Sequence, residues 1–208
     1  MALIKLNNRG VRNVSAFGSV GVGSMVFIKK LTASSSGTLS FVDGASSVVL
    51  DSTYKEYLFT FNNIHPSAKA DFTFNMSIDS GSNYNVTKTT TYFHAAHDEA
   101  DSATEVALGV SAGSLGQSTG FQLLGYQIPT GNDECGSGYL RLFNPSSTTF
   151  VKHFITNCNE VSIGGGTPYS INSFAAGYGN TTSAVDAVQF KMSTGNIDAG
   201  DICLYGIK

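Results

Sequence analysis

The chain has 208 residues, 41% of them hydrophobic and 11% aromatic, which suffices for a packed core and excludes a solvated, disordered chain. Only 13% are charged, about half the usual share for a globular protein, so Ser, Thr, Asn and Gly carry the polarity. Of the 12 Lys and Arg, five (Lys5, Arg9, Arg12, Lys29, Lys30) lie in an opening stretch without a carboxylate, and the remaining seven face all 15 Asp and Glu, a formal charge of −8. That imbalance argues against nucleic acid as a partner, because the body repels phosphate.

Residues 1–23 mix small, polar and glycine residues without helical periodicity and are expected to be an extended N-terminal arm. Its apolar opening, Ala2 to Ile4, is broken by Lys5, Asn7 and Asn8 before a signal-peptide core forms. No later stretch has the roughly 20 apolar residues of a membrane span, so the expectation is cytoplasmic synthesis and no membrane partner. Lys5, Asn7, Asn8, Arg9, Arg12 and Phe17 are the candidate partner-docking residues: cations steer the arm to an acidic protein surface, amides hydrogen-bond and apolar side chains prolong contact. The Gly18–Ser24 run lacks the Lys-Ser/Thr of a phosphate loop and reads as a hinge.

From Ser24 onward, alternation with period two dominates and predicts one domain, 24–208. Expected strands are Met25–Leu31, Thr38–Val42, Tyr57–Phe61, Asp71–Ile78, Tyr84–Phe93, Gly120–Ile128, Tyr139–Phe143, Phe150–Ile155, Ala187–Met192 and Ile202–Ile207. Turn chemistry separates them at Asp43-Gly44, Asp79-Ser80-Gly81, Gly131-Asn132-Asp133, Asn144-Pro145-Ser146, Gly164-Gly165-Gly166 and Thr194-Gly195-Asn196. The fold class is therefore all-β, an antiparallel β-sandwich or jelly roll. The segment Ala95–Leu108 is the one helix candidate, with a long loop as its alternative. Apolar residues on both faces of Ile202–Ile207 predict an interior strand.

Motifs for chemistry are weak. Gly109-Val110-Ser111-Ala112-Gly113 matches a nucleophile elbow, with Asp133 and His153 following in hydrolase order, but the Gly- and Ser-rich segment after it cannot make the required helix. His94, His97, Asp98, Glu99 and Asp101 are dense in possible metal ligands yet equally suit a polar loop. Three cysteines, Cys135, Cys158 and Cys203, without paired spacing predict free thiols in a reducing compartment. No catalytic residue, metal site or cofactor is expected.

The opening Met1–Gly10 (MALIKLNNRG), the strand and turn Phe59–Pro66 (FTFNNIHP) and the ending Ala199–Ile207 (AGDICLYGI) together resemble small virion structural proteins of tailed bacteriophages, especially those of marine cyanobacteria. The resemblance spans the whole chain and rests on strands and turns. It implies a non-enzymatic, trimeric β-sandwich on the particle exterior, in a tail appendage or fibre or as capsid decoration, docked to other virion proteins by its arm. The implied location is the virion, assembled in the host cytoplasm. Alternatives are a carbohydrate-binding tip that recognises a host surface glycan, short of Trp as a stacking platform, and a serine hydrolase or depolymerase built on Ser111.

Overall fold

The computed structural model describes residues 16–17, 20–21, 24–108, 113–164 and 166–208, and among them contains strands and no helix. In chain order the strands are β1 (Ala16–Phe17), β2 (Val20–Gly21), β3 (Met25–Thr32), β4 (Leu39–Val42), β5 (Glu56–Pro66), β6 (Ala70–Ser77) and β7 (Lys88–Asp98). They continue as β8 (Thr104–Ala107), β9 (Gln122–Ile128), β10 (Gly136–Phe143), β11 (Lys152–Gly164), β12 (Thr167–Gly179), β13 (Ala187–Met192) and β14 (Ile197–Ile207). Among the described residues, strands β1 and β2 pair only with each other. The rest form two antiparallel sheets, an eight-stranded one ordered β3-β14-β5-β10-β11-β12-β7-β8 and a four-stranded one ordered β4-β13-β6-β9.

The sheets pack face to face because each strand turns its apolar residues one way. Tyr57, Phe59, Phe61, Leu140, Leu142, Phe154, Ile202 and Leu204 point inward from the larger sheet, and Phe41, Phe72, Phe74, Val188 and Phe190 meet them from the smaller. Phe190 is the hub, with ring contacts to Phe41, Phe59, Phe61, Phe72 and Phe74 at centroid distances between 5.3 and 6.3 Å. Four strands cannot roof eight. Toward β12 and β7 the aliphatic core gives way to a small cluster of Tyr92, Leu123 and Ala175, with Tyr126 against it.

Two expectations change. The helix candidate Ala95–Leu108 is instead the end of β7, a turn, and β8: Ala95 and Ala96 pair with Asn172 and Ile171 of β12 on one side and with Val106 and Glu105 on the other. Alanines there read as helix formers, but the ladder on both sides fixes them extended. The Tyr84–Phe93 strand begins only at Lys88. The final strand is interior as expected: β14 lies between β3 and β5, with Ile202 and Leu204 fully buried and Cys203 nearly so.

Candidate functional site

The outer face of the eight-stranded sheet, turned away from the core, is a broad surface available to a partner. Pairing registers place side chains in rows across it. One row runs Phe27, Tyr205, Leu58, Arg141, Ile155, Ala176, Thr91. The next runs Cys203, Thr60, Tyr139, Asn157, Phe174, Phe93, and a third ends Asn159, Asn172, Ala95, Val106. Met25, Phe27, Phe93, Val106, Tyr139 and Ile155 are all exposed large apolar residues on this one face. Phe93 and Phe174 stack with ring centroids 4.8 Å apart.

Between the rings the face is amide and hydroxyl. Asn157 Nδ2 donates to Asn172 Oδ1 at 2.7 Å, and Asn159 Nδ2 donates to the Ile171 carbonyl at 3.0 Å, locking both side chains flat. Two charges near these rows have partners close by. Lys30 Nζ meets Asp201 at 3.1 Å and Arg141 Nε meets Glu56 at 3.3 Å. A shallow depression of about 540 Å³ lies over Leu58, Thr60, Asn62, Ser137, Tyr139 and Arg141. The face is thus neutral, apolar in bands, and rich in paired donors and acceptors.

The two borders of the sheet differ. At one, β3 exposes Met25 and Phe27 with Lys29 and Lys30 after them; at the other, β8 exposes Val106 with Leu108 beyond it, after Glu99, Asp101 and Glu105. Among the described residues no strand pairs with the free side of either.

A pocket of about 270 Å³ lies on the inner side of the sheet, where the smaller sheet runs out; His94, Glu105, Tyr126, Gln127, Tyr169 and Ile171 line it. His94 is buried, donates from Nε2 to Glu105 Oε1 at 3.0 Å, and lies parallel to the Tyr126 ring at 6.0 Å. Nearby, Tyr92 OH donates to Ser173 Oγ at 2.8 Å and Ser173 to Glu160 Oε1 at 2.5 Å, an oxygen that also takes the Tyr126 N–H. Glu160 is buried with its other oxygen unpartnered, and desolvation pushes its pKa up to about 8, so it is neutral at pH 7.

Of the candidate docking residues, Lys5, Asn7, Asn8, Arg9 and Arg12 lie outside the described residues; Phe17 belongs to β1, where only its backbone pairing with Val20 is described. Ser111 also lies outside them. Its two expected helpers are apart: His153 lies second in β11 on the outer face, whereas Asp133 lies in the turn before Cys135, whose carbonyl accepts from Val161 near the far end of that strand. The eight-residue separation of His153 and Val161 spans roughly 25 Å, so His153 and Asp133 do not form a dyad.

The His94–Asp101 cluster is divided by strand alternation. His94 turns inward to Glu105, His97 outward to Asp101 at 3.2 Å, and Asp98 accepts from the Ser102 and Ala103 N–H groups to close the turn. Among the described residues no three His, Cys, Asp or Glu converge as metal ligands. Sequence reasoning missed β8 and β12. For β8 the available signal was Val106 and Leu108 two apart; β12 carries no alternation of large apolar and polar residues.

No protein-family model matches the chain, and neither a curated protein nor a solved structure is significantly similar to it.

Proposed function

We propose that this protein is a non-enzymatic bacteriophage virion structural protein, a surface β-sandwich anchored to the particle through its N-terminal arm, in a tail appendage or fibre or as capsid decoration. The observation that carries this reading is the outer face of the eight-stranded sheet. At about 4.8 Å per strand and seven residues of depth, it offers roughly 800 Å², the contribution of one partner to a standard protein–protein contact. Its exposed rings and pre-ordered amides, with ionic groups already paired, suit burial against another protein surface. The basic, acid-free opening stretch on an acidic body supplies a second, separable attachment element. The resemblance in the opening, the Phe59–Pro66 segment and the ending points the same way.

Deleting residues 1–23 tests the anchor. Every strand of the two packed sheets lies within 25–207, so the remainder is expected to fold while vanishing from purified particles. Normal copy number of the deleted form on particles would remove the arm from the reading.

A carbohydrate-binding tip is the second reading, favoured by the pocket at His94. Tyr126 and Tyr169 offer rings for a sugar's C–H face, and Glu105 and Gln127 offer acceptors and donors for its hydroxyls. A glycan array probed with the full chain separates it from the first: binding lost in Tyr126→Ala selects the tip.

A further inference from the structure

We propose that copies of this chain join edge to edge, β3 of one copy pairing antiparallel with β8 of the next, so that the eight-stranded sheets of successive copies form one continuous ladder. The inference deepens the structural-subunit reading by naming the surface through which it assembles with itself.

Three observations carry it. First, both borders of the sheet are open among the described residues, and an open edge presents a row of unpaired N–H and C=O groups that templates pairing. Each border also carries exposed apolar side chains: Met25 and Phe27 are 52% and 57% exposed, and Val106 and Leu108 are each 77% exposed. Natural edges are usually blunted with charge or proline; here the charges, Lys29 and Lys30 on β3 and Glu105 on β8, lie at one end of each border, and Met25–Phe27 and Val106–Leu108 carry neither.

Second, the two borders complement each other in order as well as in sign. Along β3 the sequence runs apolar to cationic, Met25 and Phe27 and then Lys29 and Lys30. Toward and along β8 it runs anionic to apolar, Glu99, Asp101 and Glu105 and then Val106 and Leu108. Antiparallel alignment sets Met25 and Phe27 against the Val106–Leu108 end and the lysines against the carboxylates. Parallel alignment would set the lysines against Leu108 and Met25 and Phe27 against Asp101 and Glu105. Some of these charges have partners within their own copy: Lys30 meets Asp201, Glu105 meets His94 and Asp101 meets His97. Glu105 and Asp101 nonetheless keep 61% and 92% of their side-chain surface in solvent, and Lys30 keeps 50%, so they remain open to a second charge.

Third, the topology permits it. All neighbours in the sheet are antiparallel and the strands number eight, an even count, so β3 and β8 run in opposite directions. A second copy related by rotation about an axis along the strands therefore presents its β3 antiparallel to β8 of the first. Such a contact uses different surfaces on the two copies, and a rotation that closes it yields a ring.

Phe27→Asp and Val106→Asp each spoil one border while leaving the other intact, and both positions are exposed, so the fold is retained, as checked by circular dichroism. The full-length wild type at tens of micromolar is expected to sediment as an oligomer and each variant alone as a monomer, because every contact needs both borders. Mixing the two variants is expected to yield a two-copy species, joining the intact β3 of Val106→Asp to the intact β8 of Phe27→Asp, and nothing larger. A monomeric wild type, an oligomer that survives in either variant, or a mixture that stays monomeric overturns the proposal. Mass spectrometry of purified particles reads the virion function separately. A chain that assembles but is absent from particles sinks that function and keeps the edge pairing, and a monomeric chain present on particles does the reverse.

Discussion

Phe190 shows how much of the stability rests on single side chains. It is fully buried on β13 and touches five other phenylalanine rings, so its removal leaves a cavity bounded by strands of both sheets that cannot collapse locally. Phe190→Ala is expected to cost about 3–5 kcal/mol in urea unfolding, much of the total stability of an ordinary domain. Glu160 acts through its proton instead. Its pKa is about 4.5 in an ordinary exposed setting and about 8 in the fold, raised by desolvation against the hydrogen bonds from Ser173 and Tyr126. The folded state thus holds a proton that the unfolded state releases over that interval. The contribution of Glu160 to stability is full below about pH 4.5 and falls as pH rises toward 8, by on the order of 1 kcal/mol per pH unit. Glu160→Gln keeps the acceptor for Ser173 and Tyr126 and removes the proton, so unfolding free energy measured across this interval should fall less steeply with pH than in the wild type. An unchanged slope in the variant would assign the dependence to other groups.

At the scale of elements, β14 ties the larger sheet together. It bonds β3 on one side and β5 on the other, and its inward Ile202 and Leu204 enter the central core. Gly200 takes φ +117° where the strand bulges past Asn63, and a Cβ at Gly206 would lie 2.3 Å from the Tyr54 ring. The ring therefore seals this strand only because position 206 has no side chain. Removing residues 202–208 strips β3 of its partner and opens the core, with an expected loss of several kcal/mol. A truncated chain that stays soluble with an unchanged Tm would contradict this. Strand β12 is the contrary case. Its inward Ser173, Ala175 and Gly177 are small or polar, and what holds them is the Glu160–Ser173–Tyr92 chain of hydrogen bonds from neighbouring strands. An alternation of large apolar and polar residues is absent there, which is why sequence reading passed over it.

At the scale of the whole molecule, unequal sheets make the features that face outward. Four strands cover the centre of eight, so the overhang at β7 and β8 exposes the pocket at His94, and the borders of the larger sheet stand free among the described residues. The arm-deletion and border-variant experiments probe the proposed anchoring and self-assembly independently, and loss of particle incorporation without loss of self-assembly would place the two on different parts of the chain.

The sequence alone determined the all-β class, most strand positions and the interior place of the last strand, because alternation and turn residues are local signals that the chain carries within a few residues. It also determined the charge split between the opening stretch and the body. Only the tertiary structure decided which face of each strand is buried, that Ala95–Asp98 belongs to a ladder, and that His94 and His97 turn to opposite faces. It alone brought Phe27, Ile155 and Phe93, far apart in the chain, onto one surface, and set β3 and β8 as opposite borders. Strand order depends on pairings between residues more than a hundred positions apart, such as Phe27 with Tyr205, and no local pattern encodes them.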